Sequence, residues 1–326
     1  MAMKWQFTQG LHEIGDRTWA FLQPNGSWGW SNAGFVTDGD AALLVDTLFD
    51  ERLTAAMLDD IKAQTGFAAG DISCLVNTHA NGDHTYGNRL VSQAEIIASE
   101  AGADEMGDVP PSVLAGLMRQ APQLGRLGRY LTHCFAPFAF DGLELKLPTR
   151  TFRGELRLEV GSKTVDVIEV GPAHTRGDVL VHVPSERVVY TGDILFIGGT
   201  PIIWSGPVGN WIRACERILG MDVDVIVPGH GPITDQVGVR EVMAYLRFVD
   251  DEARKRFDAG VSCEEAARDI ALGEYRNWTD YERIVVNVHS LYQEYSGERA
   301  PPDYARLFDG MAAYRERSVN DEGSRA

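Results

Sequence analysis

Six consecutive residues, His79-Ala80-Asn81-Gly82-Asp83-His84, carry two imidazoles, a carboxylate and an amide. Nitrogen and oxygen donors at this density suit zinc, iron, manganese or cobalt. The cluster directly follows the apolar run Ile72-Ser73-Cys74-Leu75-Val76, so a strand delivers it. A polar turn with hydrogen-bonded histidines is the alternative reading. Three further segments argue against it by repeating one arrangement, an apolar strand with a donor at its end. The run from Val165 to Val170 passes through Gly171-Pro172-Ala173 to His174. The run from Arg187 to Gly192 leads to Asp193, and the run from Val223 to Gly229 leads to His230. Each is rich in β-branched residues, which suit strands, and each closes on Gly or Pro, which turn the chain. Four donor-bearing strand ends predict a shared cation.

The elements that must position these donors are legible in outline. Residues 5–50 read as strands with tight turns, Asn25-Gly26 and Asp38-Gly39 being hairpin signals. Glu51 to Thr65 reads as an amphipathic helix with Leu53, Met57 and Ile61 on one face. Gly87-Asn88-Arg89 opens a short helix. From about residue 99 to 140 the pattern changes to a helical insertion, with Pro110-Pro111 followed by an apolar helical run from Ser112 to Cys134. It reads either as a lid with an apolar inner face or as plain packing or a dimer contact. The loop from Gly198 to Trp211 starts just after Asp193; Trp204 is expected in a pocket wall and Trp211 in the core. Trp28 and Trp30, in the hairpin tip Asn25 to Asn32, are further candidates for the wall.

Beyond Asp235 three helical stretches follow: Val237 to Ala259, a segment opened by the capping box Ser262-Cys263-Glu264-Glu265, and Asp280 to Tyr295. These stretches read as a helical extension, residues 236–326, packed on the donor-bearing domain, residues 1–235, and not as an independent domain. His133 and His289 are expected to be packing or surface residues. The polar tail from Ser318 to Ala326 is expected to be disordered.

Taken together, Asn77-Thr78-His79-Ala80-Asn81-Gly82-Asp83-His84, His174-Thr175-Arg176-Gly177-Asp178, Thr191-Gly192-Asp193 and Pro228-Gly229-His230-Gly231 resemble the metallo-β-lactamase superfamily. The resemblance runs from about Ala33 to Asp235 and includes the strand Ala41 to Thr47, whose Asp46 stands behind the metal loop in that family. It implies an α/β architecture, the αββα sandwich, with one or two metal ions at one edge. The first ion would be held by His79, residue 81 and His174. The second would be held by Asp83, His84 and His230, with Asp193 bridging both. Asp46, Asp178 and Thr191 are candidates for orienting the imidazoles. The insertion lies where that family places elements that cover the substrate.

One position departs from the family's His-x-His-x-Asp-His pattern: residue 81 is asparagine. A neutral amide oxygen is a poorer donor than imidazole, so the first site should be weaker. The expected cofactor is Zn2+, one or two ions, with iron or manganese possible. Water bound to such an ion is acidified toward neutrality, and Asp83 is the candidate proton acceptor. The leading function is hydrolysis of a small ester, thioester or lactone. An iron-dependent oxidoreductase or other non-hydrolytic enzyme is the alternative.

Composition narrows the partners. Lys+Arg total 30 against Asp+Glu 47, a formal charge of −17, which disfavours a nucleic-acid phosphate track. A basic group, Arg119, Arg126 and Arg129, reads as a solvated helix face. Cys74, Cys134, Cys215 and Cys263 are widely spaced, as free thiols in a reducing compartment would be. The start, Met1 to Phe7, lacks a long apolar segment, and no run reaches membrane-spanning length. The expectation is a cytoplasmic enzyme of a small molecule, off the membrane, possibly a homodimer.

Overall fold

A computed structural model describes residues 5–297 and 302–323, with side chains placed through residue 318. Met1 to Lys4 and the final residues 324–326 lie outside it. The first sheet holds seven strands in sequential order: β1 (Gly10–Gly15), β2 (Thr18–Leu22), β3 (Ala33–Asp38), β4 (Ala41–Val45), β5 (Cys74–Val76), β6 (Glu95–Ser99) and β7 (Arg150–Phe152). The first four pair antiparallel; β4 to β7 run parallel. The second sheet is β8 (Glu155–Val160), β9 (Lys163–Glu169), β10 (Val179–Val183), β11 (Val188–Tyr190) and β12 (Val225–Val227), in the order β12-β11-β10-β9-β8. The sheets face each other across a β-branched core that includes Val36, Val45, Val76, Val165, Val181 and Val188.

Helices cover the outer faces, which gives the four-layer αββα sandwich expected from the sequence. The first, α1 (Glu51–Thr65), connects the parallel pair β4 and β5. Asp50 caps it by accepting the Leu53 amide at 2.7 Å, and Gly66 ends it in the left-handed conformation at φ 87. Leu53, Met57 and Ile61 are buried on one face, each contributing about 1.5–3 kcal/mol of burial free energy. A single helical turn, α2 (Gly82–Thr85), follows His79, and α3 (Glu100–Glu105) opens the insertion. The expected helix over 112–134 is broken into α4 (Pro111–Gln120) and α5 (Gly125–Phe135). A 3-10 turn at Ala121–Gln123 separates them, and Pro122 sits within it without an amide proton to donate.

Helix α6 (Val208–Leu219) connects β11 to its parallel neighbour β12. The extension supplies α7 (Gln236–Asp258), α8 (Cys263–Asp269), α9 (Ile284–Ser296) and α10 (Tyr304–Gly323), and the Ser262–Glu265 capping box is present. The extension reaches the insertion, because α10 lies along α5: Arg126 pairs with Asp309, Arg129 with Glu316 at 2.7 Å, and Leu307, Met311 and Ala312 are buried. Residues 318–323 are helical, where polarity alone suggested disorder; residues 324–326 lie outside the described residues. Arg119 likewise pairs with Asp141, so each of the three arginines has a carboxylate partner.

The hairpin signal at Asp38-Gly39 is a tight turn, with Asp38 facing Ala41 and Gly39 at φ 57. The signal at Asn25-Gly26 is part of a longer excursion, residues 23–32, between the paired strands β2 and β3. Asn32 ties that excursion inward, its amide nitrogen donating to the carbonyls of Pro228 at 3.0 Å and Gly231 at 2.8 Å. All four cysteines are free. No helix among the described residues is long and apolar enough to cross a membrane.

Candidate metal centre

Both sheets end at one edge, and the loops leaving β5, β9, β11 and β12 bring the donors together there. Asp193 lies at the middle. Its Oδ2 is 3.3 Å from His174 Nε2, 3.5 Å from His230 Nε2 and 3.8 Å from His79 Nε2; its Oδ1 is 3.1 Å from His84 Nε2. Asp83 Oδ2 lies 3.3 Å from His230 Nε2. Two triads, His79/His84/Asp193 and Asp83/His84/His230, each hold their donor atoms within 4.8 Å of one another. The Nε2 atoms of His79, His84 and His174, Oδ1 of Asp193 and Oδ1 of Asn81 are buried and make no hydrogen bond. Buried polar atoms are nearly always satisfied, so three orphaned imidazole nitrogens within 3.8 Å of the Asp193 carboxylate fit the ligand shell of a divalent ion.

The far side of each ring explains why those nitrogens point inward. His174 Nδ1 lies 2.8 Å from the Ile202 carbonyl, which can only accept, so Nδ1 carries the proton and Nε2 keeps its lone pair. His84 Nδ1 faces Asp46 Oδ2 at 2.9 Å. Asp46 also accepts the Thr78 amide at 2.7 Å and hydroxyl at 2.6 Å, and that hydroxyl lies 3.1 Å from His79 Nδ1. His230 differs: its Nδ1 is buried without a hydrogen-bond partner. Phe196 instead stacks flat on it, with centroids 5.1 Å apart and planes at 4°. Gly229 is required beside it, because a Cβ there would stand 2.0 Å from Asp193 Oδ1.

The electrostatics are those of a crowded, buried ionic cluster. Burial drives His79 well below its ordinary range and His174 down in the same direction. Burial also opposes charge on His230, but Asp193 and Asp83 outweigh it and push the imidazole up to about 9. His84 is raised well above its ordinary value, the charges of Asp193 and Asp46 overcoming burial. Burial would raise Asp83, yet the His230 hydrogen bond and the charge of His84 bring it down to about 2.

The structure brings His79, Asn81, Asp83, His84, His174, Asp193 and His230 to one edge. It revises two of the orienting residues. Asp178 touches no imidazole; it accepts the amides of Ala173 (3.1 Å) and Thr175 (3.0 Å) and the Thr175 hydroxyl (2.7 Å), and so shapes the loop that carries His174. Thr191 donates to the backbone carbonyl of Gly192 at 3.0 Å. The tryptophans are also more enclosed than expected. Trp28 is buried against Phe135 (6.0 Å) and Phe308 (5.4 Å), and Trp30 lies on Phe138 (5.0 Å). Trp204 lies near Tyr304 and Phe308, and its amide donates to the His174 carbonyl at 3.2 Å. Among the described residues, the apolar rings against the donor imidazoles are Phe196, also 5.6 Å from His174, and Trp211, 5.7 Å from His174. Trp211 is in the core, as expected. Sequence reasoning missed Phe196, for which its place three residues after Asp193 was the available signal.

Comparison with known proteins agrees with this geometry. The profile of the "Metallo-beta-lactamase superfamily" matches residues 26–230, more than half of the chain. The chain is 35% identical over 88 residues to the 2,4-dinitroanisole O-demethylase subunit alpha of Nocardioides sp. (strain JS1661), covering 25% of this chain and 26% of that protein. It is 24% identical over 162 residues to the acyl-coenzyme A thioesterase MBLAC2 of Gallus gallus, covering 48% and 55%. Over 203 residues it is 23% identical to a hydroxyacylglutathione hydrolase of Synechococcus sp., covering 59% and 64%. The chain thus spans between a quarter and two thirds of the length of these relatives. Among solved structures, the sec-alkylsulfatase Pisa1 from Pseudomonas sp. superposes with a TM-score of 0.67 at 18% identity, over 92% of this chain and 52% of that one. A metallo-beta-lactamase from Pontibacter korlensis gives 0.55 at 19%, over 74% and 99%. At such identities the likeness is one of fold.

Proposed function

The chain belongs to the metallo-beta-lactamase superfamily, and from that premise we propose that it is a metal-dependent hydrolase of a small ester, thioester or lactone. The observation that carries the reading is the ring of buried, unsatisfied donors around Asp193. A divalent ion held there, zinc in our reading, would supply a hydroxide near neutral pH and polarise the carbonyl under attack.

The chain's own residues do the remaining work. Asp83, His84 and His230 form the end with the full set of strong donors. His79, Asn81 and His174 form the weaker end, where a neutral amide replaces an imidazole. Asp83 is held ionised at neutral pH, as a ligand and proton acceptor must be. Asp46 and the Ile202 carbonyl fix the tautomers of His84 and His174. The names of two relatives, a thioesterase and a hydroxyacylglutathione hydrolase, support an acyl substrate. Free cysteines support a cytoplasmic setting.

Asn81 favours one other reading, iron with non-hydrolytic chemistry. Metal identity separates the two. Protein purified without added metal is assayed for elements and against a panel of esters, thioesters and lactones, beside Asp193→Ala. The proposal expects zinc-supported turnover of at least one acyl compound and loss of most activity in the variant. Iron with oxygen-dependent turnover and no hydrolysis would overturn it in favour of the second reading.

A further inference from the structure

Arg283 is the most deeply buried arginine among the described residues, 2% exposed, and it belongs to the C-terminal extension. Burial of a guanidinium is costly unless its charge and donors are matched. One nitrogen donates to the Thr200 carbonyl at 2.9 Å, and another pairs with Asp280 at 3.1 Å. Its Nε makes no hydrogen bond. Its flat face is used instead: the guanidinium carbon sits 4.2 Å from the Trp28 ring centroid and 5.3 Å from that of Phe196. Phe196 is the ring stacked on His230.

The backbone fixes this alignment from both ends. Phe196 bridges His230, with the Ile197 amide donating to the His230 carbonyl at 2.9 Å. A few residues on, Gly199 bridges Thr279; the Thr200 amide donates to Thr279 at 2.9 Å, and the Thr279 amide to Gly198 at 3.0 Å. The segment carrying Arg283 is thus zipped to the strand-like segment carrying Phe196. His79, His84 and His174 each have a hydrogen-bond partner at Nδ1. His230 has none there; beyond the acids that face its Nε2, its ring is held by what lies against its face.

We propose that Arg283 is a positioning residue for His230, acting through Phe196: it clamps Trp28 and Phe196 by cation–π contact, and Phe196 in turn holds the imidazole plane. This makes the C-terminal extension part of the metal centre. The proposal rests on the reading of His230 as a ligand.

The test uses the full chain loaded with Co2+, whose visible spectrum reports ligand geometry and whose release to a chelator reports retention. Arg283→Met and Phe196→Leu are expected to shift the spectrum and to speed release of the tighter ion by about 10-fold or more, the range for lost supporting partners. Arg283→Lys, which keeps the cation, should recover part of both. Ile61→Ala, a core truncation on α1, is the control and should lower thermal stability while leaving the spectrum unchanged. Arg283→Met behaving like Ile61→Ala, destabilised with an unaltered spectrum and release rate, would overturn the proposal. Should Arg283→Met not fold, an unaltered spectrum and release rate in Phe196→Leu overturns it equally. A wild-type chain that takes up no Co2+ removes the ligand reading of His230, and the proposal with it.

Discussion

Asp46 Oδ2 lies 2.9 Å from Nδ1 of His84, and the Asp46 carboxylate also takes the Thr78 amide and hydroxyl. One buried side chain therefore orients an imidazole donor and pins the start of the loop that carries His79. Asp46 holds a left-handed backbone at φ 63, which aspartate and asparagine tolerate better than other branched or bulky residues.

That geometry predicts the behaviour of Asp46→Asn. The backbone is preserved, but an amide cannot accept from both Thr78 and His84 as a carboxylate does. Metal affinity measured by chelator competition should fall by about 10–100-fold, with the fold intact by circular dichroism. An affinity within about threefold of wild type would show that His84 is oriented by something else.

The metal-free centre is predicted to hold protons that an ion must displace. Asp193 and Asp83 push His230 up to about 9, above its ordinary 6.5, and Asp193 and Asp46 hold His84 well above its ordinary value. A raised folded value means a stability contribution fully present below about pH 6.5 and lost as pH rises through about 9. Titrating metal-free protein with Zn2+ near pH 7 in weak buffer should therefore release about two protons per tightly bound ion, and apparent affinity should rise with pH. Uptake without proton release, read by a pH indicator, contradicts this charge state.

Much of this was legible beforehand, for reasons that are local. The donors sit at strand ends marked by Gly and Pro, and α1 announces both its caps in Asp50 and Gly66. The rest depended on partners distant in sequence. Trp28 is enclosed by Phe135, Phe308 and Arg283, none of which its own hairpin foretells. The helix over 318–323 is the end of α10, whose earlier turns dock on α5 through Asp309 and Glu316, partners that polarity conceals. Asp178 reads from the sequence as a candidate for orienting an imidazole, but its carboxylate accepts from the Ala173 and Thr175 amides, a pairing that spacing alone does not disclose.

Gly229 offers a steric test. Any Cβ there would stand 2.0 Å from Asp193 Oδ1 and 2.7 Å from the Gly192 carbonyl carbon. Gly229→Ala should displace Asp193, lower metal content below half of wild type and reduce thermal stability. Normal metal content in a folded Gly229→Ala protein would mean that the loop can yield without disturbing the centre.

The Asn81 substitution predicts unequal ends. Mild chelation should strip one ion early, and Asn81→His should slow that loss, since imidazole is the better donor. Equal retention of two ions in the wild-type protein, or no gain in Asn81→His, would remove Asn81 from the account of the weaker site.

The claim beneath all of these is that side chains from four strand ends converge on a shared cation. Elemental analysis of the chain purified without added metal, beside Asp193→Ala and His230→Ala, tests it most directly. The account predicts at least one divalent ion per wild-type chain, sharply depleted in both variants. Wild-type protein that is folded, active and metal-free, or variants that keep the full metal content, would contradict it.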